Sequence, residues 1–167
     1  MAFTIGLLII TLTVWCISKL LSRGVFQDFR TSAQLPTTIM FVQVGIIHLI
    51  NPSALIYMIE GFLPYPKLLV IVSGISEIIL GLGLWWERSR KISAWLLIIQ
   101  LAMMFPANIN VAINHLSAPG GLPSQGWYTW SRLAFQPLYI LWIYWSSLTS
   151  TSQSKKQKMN QQQLTTH

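Results

Sequence analysis

Between Thr37 and Ile59 the chain carries no Asp, Glu, Lys or Arg. At ~1.5 Å of helical rise per residue, a stretch of this length crosses a hydrocarbon layer of ~30 Å, and comparable apolar stretches recur along the chain. Overall 53% of residues are hydrophobic and 9% are charged, against the ~25% charged residues usual in a soluble domain. A single water-soluble domain around a large core is therefore disfavoured. The predicted fold class is an all-α membrane protein with five spans: a four-helix transmembrane bundle preceded by one extra transmembrane helix.

The first span is predicted from Phe3 to about Leu21, with its basic residues, Lys19 and Arg23, only at the far end. A secretory signal has the opposite charge order, so this segment reads as a retained helix over 1–22 that enters from outside, with Lys19 reaching back to the inner surface. Residues 23–35, with Arg23, Phe26, Asp28, Phe29 and Arg30, read as an interfacial amphipathic connector. The bundle is placed over 36–147. Its first helix opens at Pro36, a residue suited to a first helical turn, and is expected to kink or break at Asn51-Pro52. The next helices are predicted from Lys67 to Trp86, Ile92 to Ile113, and Leu133 to about Ser147. Before the last of them, Pro119, Gly120, Gly121 and Pro123 mark a loop, and Trp127, Tyr128 and Trp130 an interfacial aromatic belt. Residues 148–167, rich in Ser, Thr, Gln and Lys, are expected to form a disordered cytoplasmic tail. Gly45, Gly74, Gly81 and Gly83 fall inside spans, where a missing side chain lets helices approach closely.

The net charge of +7 sits at the ends of apolar stretches and in the tail, which points to acidic lipid headgroups and away from nucleic acid. With the N-terminus outside, nine basic residues (Lys19, Arg23, Arg30, Arg88, Arg90, Lys91, Lys155, Lys156 and Lys158) face the cytoplasm and two, Lys67 and Arg132, face out. The positive-inside rule thus predicts N-out, C-in. The only cysteine, Cys16, excludes an internal disulfide and a cysteine-built zinc site, and its predicted role is helix packing.

Glu77 is the one formal charge deep within a predicted span, ~15 Å beyond Lys67 along a helix. A carboxylate there costs ~2.5–3.5 kcal/mol on insertion scales, so it should face the bundle interior and either find a partner or stay protonated. His48 lies ~18 Å past Pro36, and Asn108 ~24 Å past Ile92, beside the helix-kinking Pro106. Arg132 and Gln136 begin the last helix from the outer side. These five residues on four helices share outer-half depths, which predicts a polar pocket with His48 paired to Glu77. The competing reading is structural: Arg132 among headgroups, Gln136 on backbone, and the asparagines on the carbonyl left free by Pro106. A lone imidazole without a second His or Cys at ligand spacing predicts no metal site. On helical spacing Ser73 and Gly81 share a face with Glu77.

Gly45-Ile46-Ile47-His48 followed by Pro52, Ser73-Gly74-Ile75-Ser76-Glu77, Arg88 to Arg90, Phe105-Pro106-Ala107-Asn108, and Ser131-Arg132-Leu133 with Gln136 together resemble the DoxX family of bacterial membrane proteins over residues 36–146. The extra N-terminal helix is similar to that of a subgroup with one more span. The resemblance implies a four-helix bundle in the bacterial cytoplasmic membrane and an association with respiratory and thiol redox systems, the family name coming from a thiosulfate:quinone oxidoreductase. Its polar set carries over to His48, Glu77, Asn108, Arg132 and Gln136. Ala134 and Glu60-Gly61 stand where the family commonly has proline.

Three functional classes stay open. One is a non-catalytic membrane subunit, with a quinone-like or lipid ligand in the outer-half pocket and a redox protein docked on it; quinone is then the candidate cofactor, and the lipid bilayer and a second copy of the chain are further candidate partners. Another is a small proton-coupled transporter working through Glu77, His48 and Pro106. The third is a membrane enzyme with Glu77 and His48 as acid and base.

Overall fold

The computed structural model describes residues 2–20, 29–61, 63–116 and 126–149. Among them the regular structure is helical: α1 (Ala2–Leu20), α2 (Phe29–Ile50), the single turn α3 (Ser53–Ile56), α4 (Pro66–Gly83), α5 (Glu87–Ile113), α6 (Gly126–Ile143) and a π-helical continuation over Tyr144–Leu148. By length and composition, α2 over Ser32–Ile50, α4 and α5 can cross a membrane, whereas α1 holds a shorter apolar stretch, Leu8–Ile17.

The helix faces are distributed in the reverse of a water-soluble bundle. On α4 the buried stripe is Val70, Gly74, Glu77 and Gly81. The opposite stripe, Leu68, Val72, Ile75, Ile79 and Leu82, is exposed. Small and polar residues thus point inward and large aliphatic ones outward, where an amphipathic helix in water would do the opposite. On α2, Thr37, Thr38, Gly45 and His48 are buried together with Met40 and Phe41, while Ile39, Ile46, Ile47 and Ile50 are exposed.

Among α2, α4, α5 and α6, helices in contact run antiparallel. Along α2 and α4, Gly45 meets Gly74 and Ile78, while Phe41 and Thr38 meet Gly81. Gln100 of α5 bonds to Ser73 and Ser76 of α4, and Gly83 packs against Ser93 and Ser89. Asn108 of α5 bonds to Gln136 of α6, and Trp95 packs edge-on against Tyr144 at 6.4 Å. The circuit closes where Gln34 donates to the Ser146 carbonyl at 2.9 Å and Trp142 Nε1 donates to Thr37 Oγ1 at 3.0 Å. One apolar cluster joins Met40, Phe41, Leu84, Ala94, Leu97 and Ile143, and a second joins Met58, Ala107 and Val111. α1 lies outside this circuit, against α2.

The chain breaks after Ile50, with Asn51-Pro52 leading into α3, as the missing proline donor requires. Other boundaries differ from the sequence reading. Pro36 lies inside α2, not at its start, so the predicted connector is helical from Phe29 onward. Proline removes one ladder bond, and the surrounding turn is held instead by Thr37 Oγ1 donating to the Ala33 carbonyl at 2.6 Å and by the Gln34 and Trp142 bonds to the distant C-terminal segment. α5 starts at Glu87, before the predicted Ile92. The tight turn from α4 allows this because Ser89 Oγ donates to the Gly83 carbonyl at 2.8 Å and Arg90 Nε to the Leu84 carbonyl at 3.0 Å, which satisfies carbonyls that a helix end leaves open. α6 begins at Gly126, before the predicted Leu133, so Trp127, Tyr128 and Trp130 of the predicted aromatic belt are helical. Cys16 is exposed and does not pack between helices. The first part of the connector, the Pro119–Pro123 loop, the side chain of Lys19 and the tail from residue 150 onward lie outside the described residues.

Candidate functional site

Two glycines bring α2 and α4 together. A Cβ on Gly45 would stand 2.5 Å from the Gly74 carbonyl oxygen, and one on Gly74 would stand 2.6 Å from His48 Cβ. Each glycine sits three residues before an ionisable side chain, Gly45 before His48 and Gly74 before Glu77. That spacing is one helical turn, so the contact that bares the backbones also sets the two side chains against each other.

His48 Nδ1 lies 3.2 Å from Glu77 Oε2, with the side chains 9% and 3% exposed. This separation suits an ion pair, yet the nitrogen is not aimed at Oε2 well enough to form a hydrogen bond, and Oε2 is fully enclosed without one. An enclosed polar atom left in this state is uncommon, and Thr38 Oγ1 is the other one among the described residues. Ser73 Oγ approaches the same nitrogen at 3.2 Å while donating to the Val70 carbonyl at 2.8 Å. Behind it, Ser76 Oγ shares its single proton between the Ser73 carbonyl at 2.8 Å and Gln100 Oε1 at 2.9 Å, and Gln100 Nε2 donates to the Ser73 carbonyl at 3.0 Å. The α4 turn carrying Ser73 and Glu77 is therefore clamped to α5.

Asn108 and Gln136 form a separate pair. Asn108 Nδ2 donates to Gln136 Oε1 at 2.9 Å, and Gln136 Nε2 donates to the Leu101 carbonyl. No side-chain hydrogen bond or ion pair among the described residues joins this pair to His48 or Glu77. The five-residue set thus divides: His48 and Glu77 meet between α2 and α4, Asn108 and Gln136 meet between α5 and α6, and the Arg132 side chain lies outside the described residues. Asn110, one turn after Pro106 in α5, serves neither pair and donates to the Met58 carbonyl at 3.0 Å. Gln100 is the participant that sequence reasoning missed. Its signal was present, an amide inside the apolar run from Trp95 to Met104.

Chemically, the His48–Glu77 arrangement can exchange a proton between its members, or offer a hydrogen-bonding group to a ligand lying among apolar helices. Among the described residues no three His, Cys, Asp or Glu side chains gather as a metal site. Neither a curated protein nor a solved structure matches the chain. A family model does match over residues 37–147, well over half of the chain and all five predicted site positions, so this protein belongs to the family described as Domain of unknown function (DUF8561).

Proposed function

We propose that the chain is an integral protein of the bacterial cytoplasmic membrane, a DoxX-like four-helix transmembrane bundle over 36–147 preceded by one extra span. In this reading it is a membrane subunit without chemistry of its own, which holds a quinone-like or lipid ligand at His48 and Glu77 and docks a redox partner. The outward aliphatic faces of α2 and α4 and the inward small face of α4 favour the membrane setting. The observation that carries the ligand site is Glu77 Oε2, enclosed, without a directed donor, and 3.2 Å from His48. The redox association and the DoxX relationship rest on the motifs alone.

The test is mass spectrometry of lipids and quinones retained by the gently extracted chain and by its Glu77→Gln variant. The reading expects a quinone or a specific lipid with the first and its loss from the second. Equal retention by both would remove the site from His48 and Glu77. Proteins retained in the same preparation address the redox partner and a second copy of the chain. The predicted orientation is tested by reporter fusions, with Gly120 expected outside and Arg90 and Lys156 inside.

The same buried acid–base pair favours a second reading, a small proton-coupled transporter. Uptake into proteoliposomes by the purified chain, abolished in Glu77→Gln, would replace the subunit reading. Turnover by the isolated chain would favour the membrane enzyme instead.

A further inference from the structure

Ser73 bears on which nitrogen of His48 carries its proton. The Ser73 hydroxyl lies 2.8 Å from the Val70 carbonyl, which can only accept, so its single proton is directed there. With that proton committed, Ser73 Oγ can only accept from His48 Nδ1, 3.2 Å away. Glu77 Oε2 lies 3.2 Å from the same nitrogen but off the direction of an Nδ1–H bond, so Ser73 Oγ is the group that accepts from it. A neutral imidazole protonated on Nδ1 keeps a lone pair on Nε2. Nε2 has no partner among the described residues. The base of the imidazole is held by backbone, since a Cβ on Gly74 would stand 2.6 Å from His48 Cβ.

We propose that His48 is held as the Nδ1–H tautomer by Ser73, and that its Nε2 accepts a hydrogen bond from the hydroxyl of an apolar ligand. The ligand class is an alkylated phenol or hydroquinone, in preference to the same molecule with its oxygens capped as ethers or held as carbonyls. This rests on the reading of His48 and Glu77 as a ligand site. A carbonyl oxygen cannot donate to a lone pair, whereas a phenolic O–H can, and the difference of one hydrogen bond corresponds to about tenfold in affinity.

The experiment is nitrogen NMR of the full chain in lipid nanodiscs with labelled imidazoles. The chain has three histidines, so His115→Asn with His167→Asn leaves His48 alone, and asparagine suits the left-handed φ of 50° at position 115. Should that double variant misfold, the His48 signals are assigned by their loss in His48→Gln against the unaltered chain. The probes are p-hexylphenol and its methyl ether. The expected result is a proton on Nδ1, an Nε2 resonance moved by the phenol, and binding of the phenol about tenfold tighter than the ether. A proton on Nε2, or on both nitrogens, overturns the tautomer and the inference with it. A proton on Nδ1 with equal binding and equal shifts from both probes overturns the preference for a hydroxyl while leaving the ligand site standing. A proton on Nδ1 with neither probe binding defeats the ligand-site reading itself, and the inference falls with it.

Discussion

The α2–α4 and α5–α6 contacts are both antiparallel and both carry a polar pair, but they are built on different principles. Between α2 and α4 the backbones meet through Gly45 and Gly74, and the polar groups are ionisable, with Glu77 Oε2 lacking a directed donor. Between α5 and α6 the polar groups are neutral amides. Gln136 both accepts from Asn108 and donates to the Leu101 carbonyl, a carbonyl one residue before that of Ala102, which Pro106 leaves without its helical donor. A satisfied amide pair beside a proline is what structural stitching requires. An ionisable pair with spare hydrogen-bonding capacity is more than stitching requires, and that is why function is assigned to the first contact.

The contrast is most exposed to Gly45→Ala. Its new Cβ would meet the Gly74 carbonyl at 2.5 Å and Ile78 Cγ1 at 2.7 Å, and a backbone atom cannot swing aside. Overpacking of this kind costs about 1–3 kcal/mol, to be read from the unfolding midpoint in mixed micelles. A wild-type midpoint would mean that the glycine contact is not what joins the helices. Gln136→Leu strips the other contact of two hydrogen bonds and leaves the Asn108 amide and the Leu101 carbonyl short of partners. The expected loss is about 1–2 kcal/mol, with ligand retention unchanged; loss of a bound ligand here would break the division between the two contacts. Gln100→Leu releases Ser76 and the Ser73 carbonyl from α5, at about 1 kcal/mol. It should weaken ligand retention in the same mass spectrometry assay, because the turn that positions Ser73 and Glu77 is no longer clamped. Glu77→Gln has the smallest expected effect on stability, less than about 1 kcal/mol, since the amide keeps the shape and an acceptor oxygen. Stability retained with ligand retention lost would sharpen the comparison. A large destabilisation would make Glu77 structural like its counterparts on α5 and α6.

Residue spacing predicted one stratum for His48, Glu77, Asn108 and Gln136, but Gln100, which bonds to Ser73 and Ser76 beside Glu77, lies eight residues before Asn108, or ~12 Å along α5. Spacing estimates how far along its own helix a residue lies but fixes neither the register between helices nor which neighbour it faces. One stratum therefore became two pairs. Glycine spacing carried more information than the reading drew from it: Gly45 and Gly74, each one turn before an ionisable residue, mark the contact face of both helices. The break at Asn51-Pro52 was readable because proline acts locally. The start of α2 was misread for the converse reason: Pro36 is a good first-turn residue, but Gln34 and Thr37 are tied to Ser146 and Trp142, more than a hundred residues away. The π-helical turn over Tyr144–Leu148 has no counterpart in local sequence chemistry and was not foreseen.

The bond from Gln34 to Ser146 spans 112 residues of chain, whereas that between His48 and Ser73 spans 25. During synthesis, His48, Glu77 and the two glycines that bring them together have been made before the first residue of α5 is added, and the Gln100 clamp follows within α5. The seam joining α2 to the C-terminal segment has to wait for residue 146. A nascent chain halted in the loop before α6 would thus contain the complete acid–base pair while lacking the segment that closes the circuit around it. Translation delivers the chemistry first and its enclosure last.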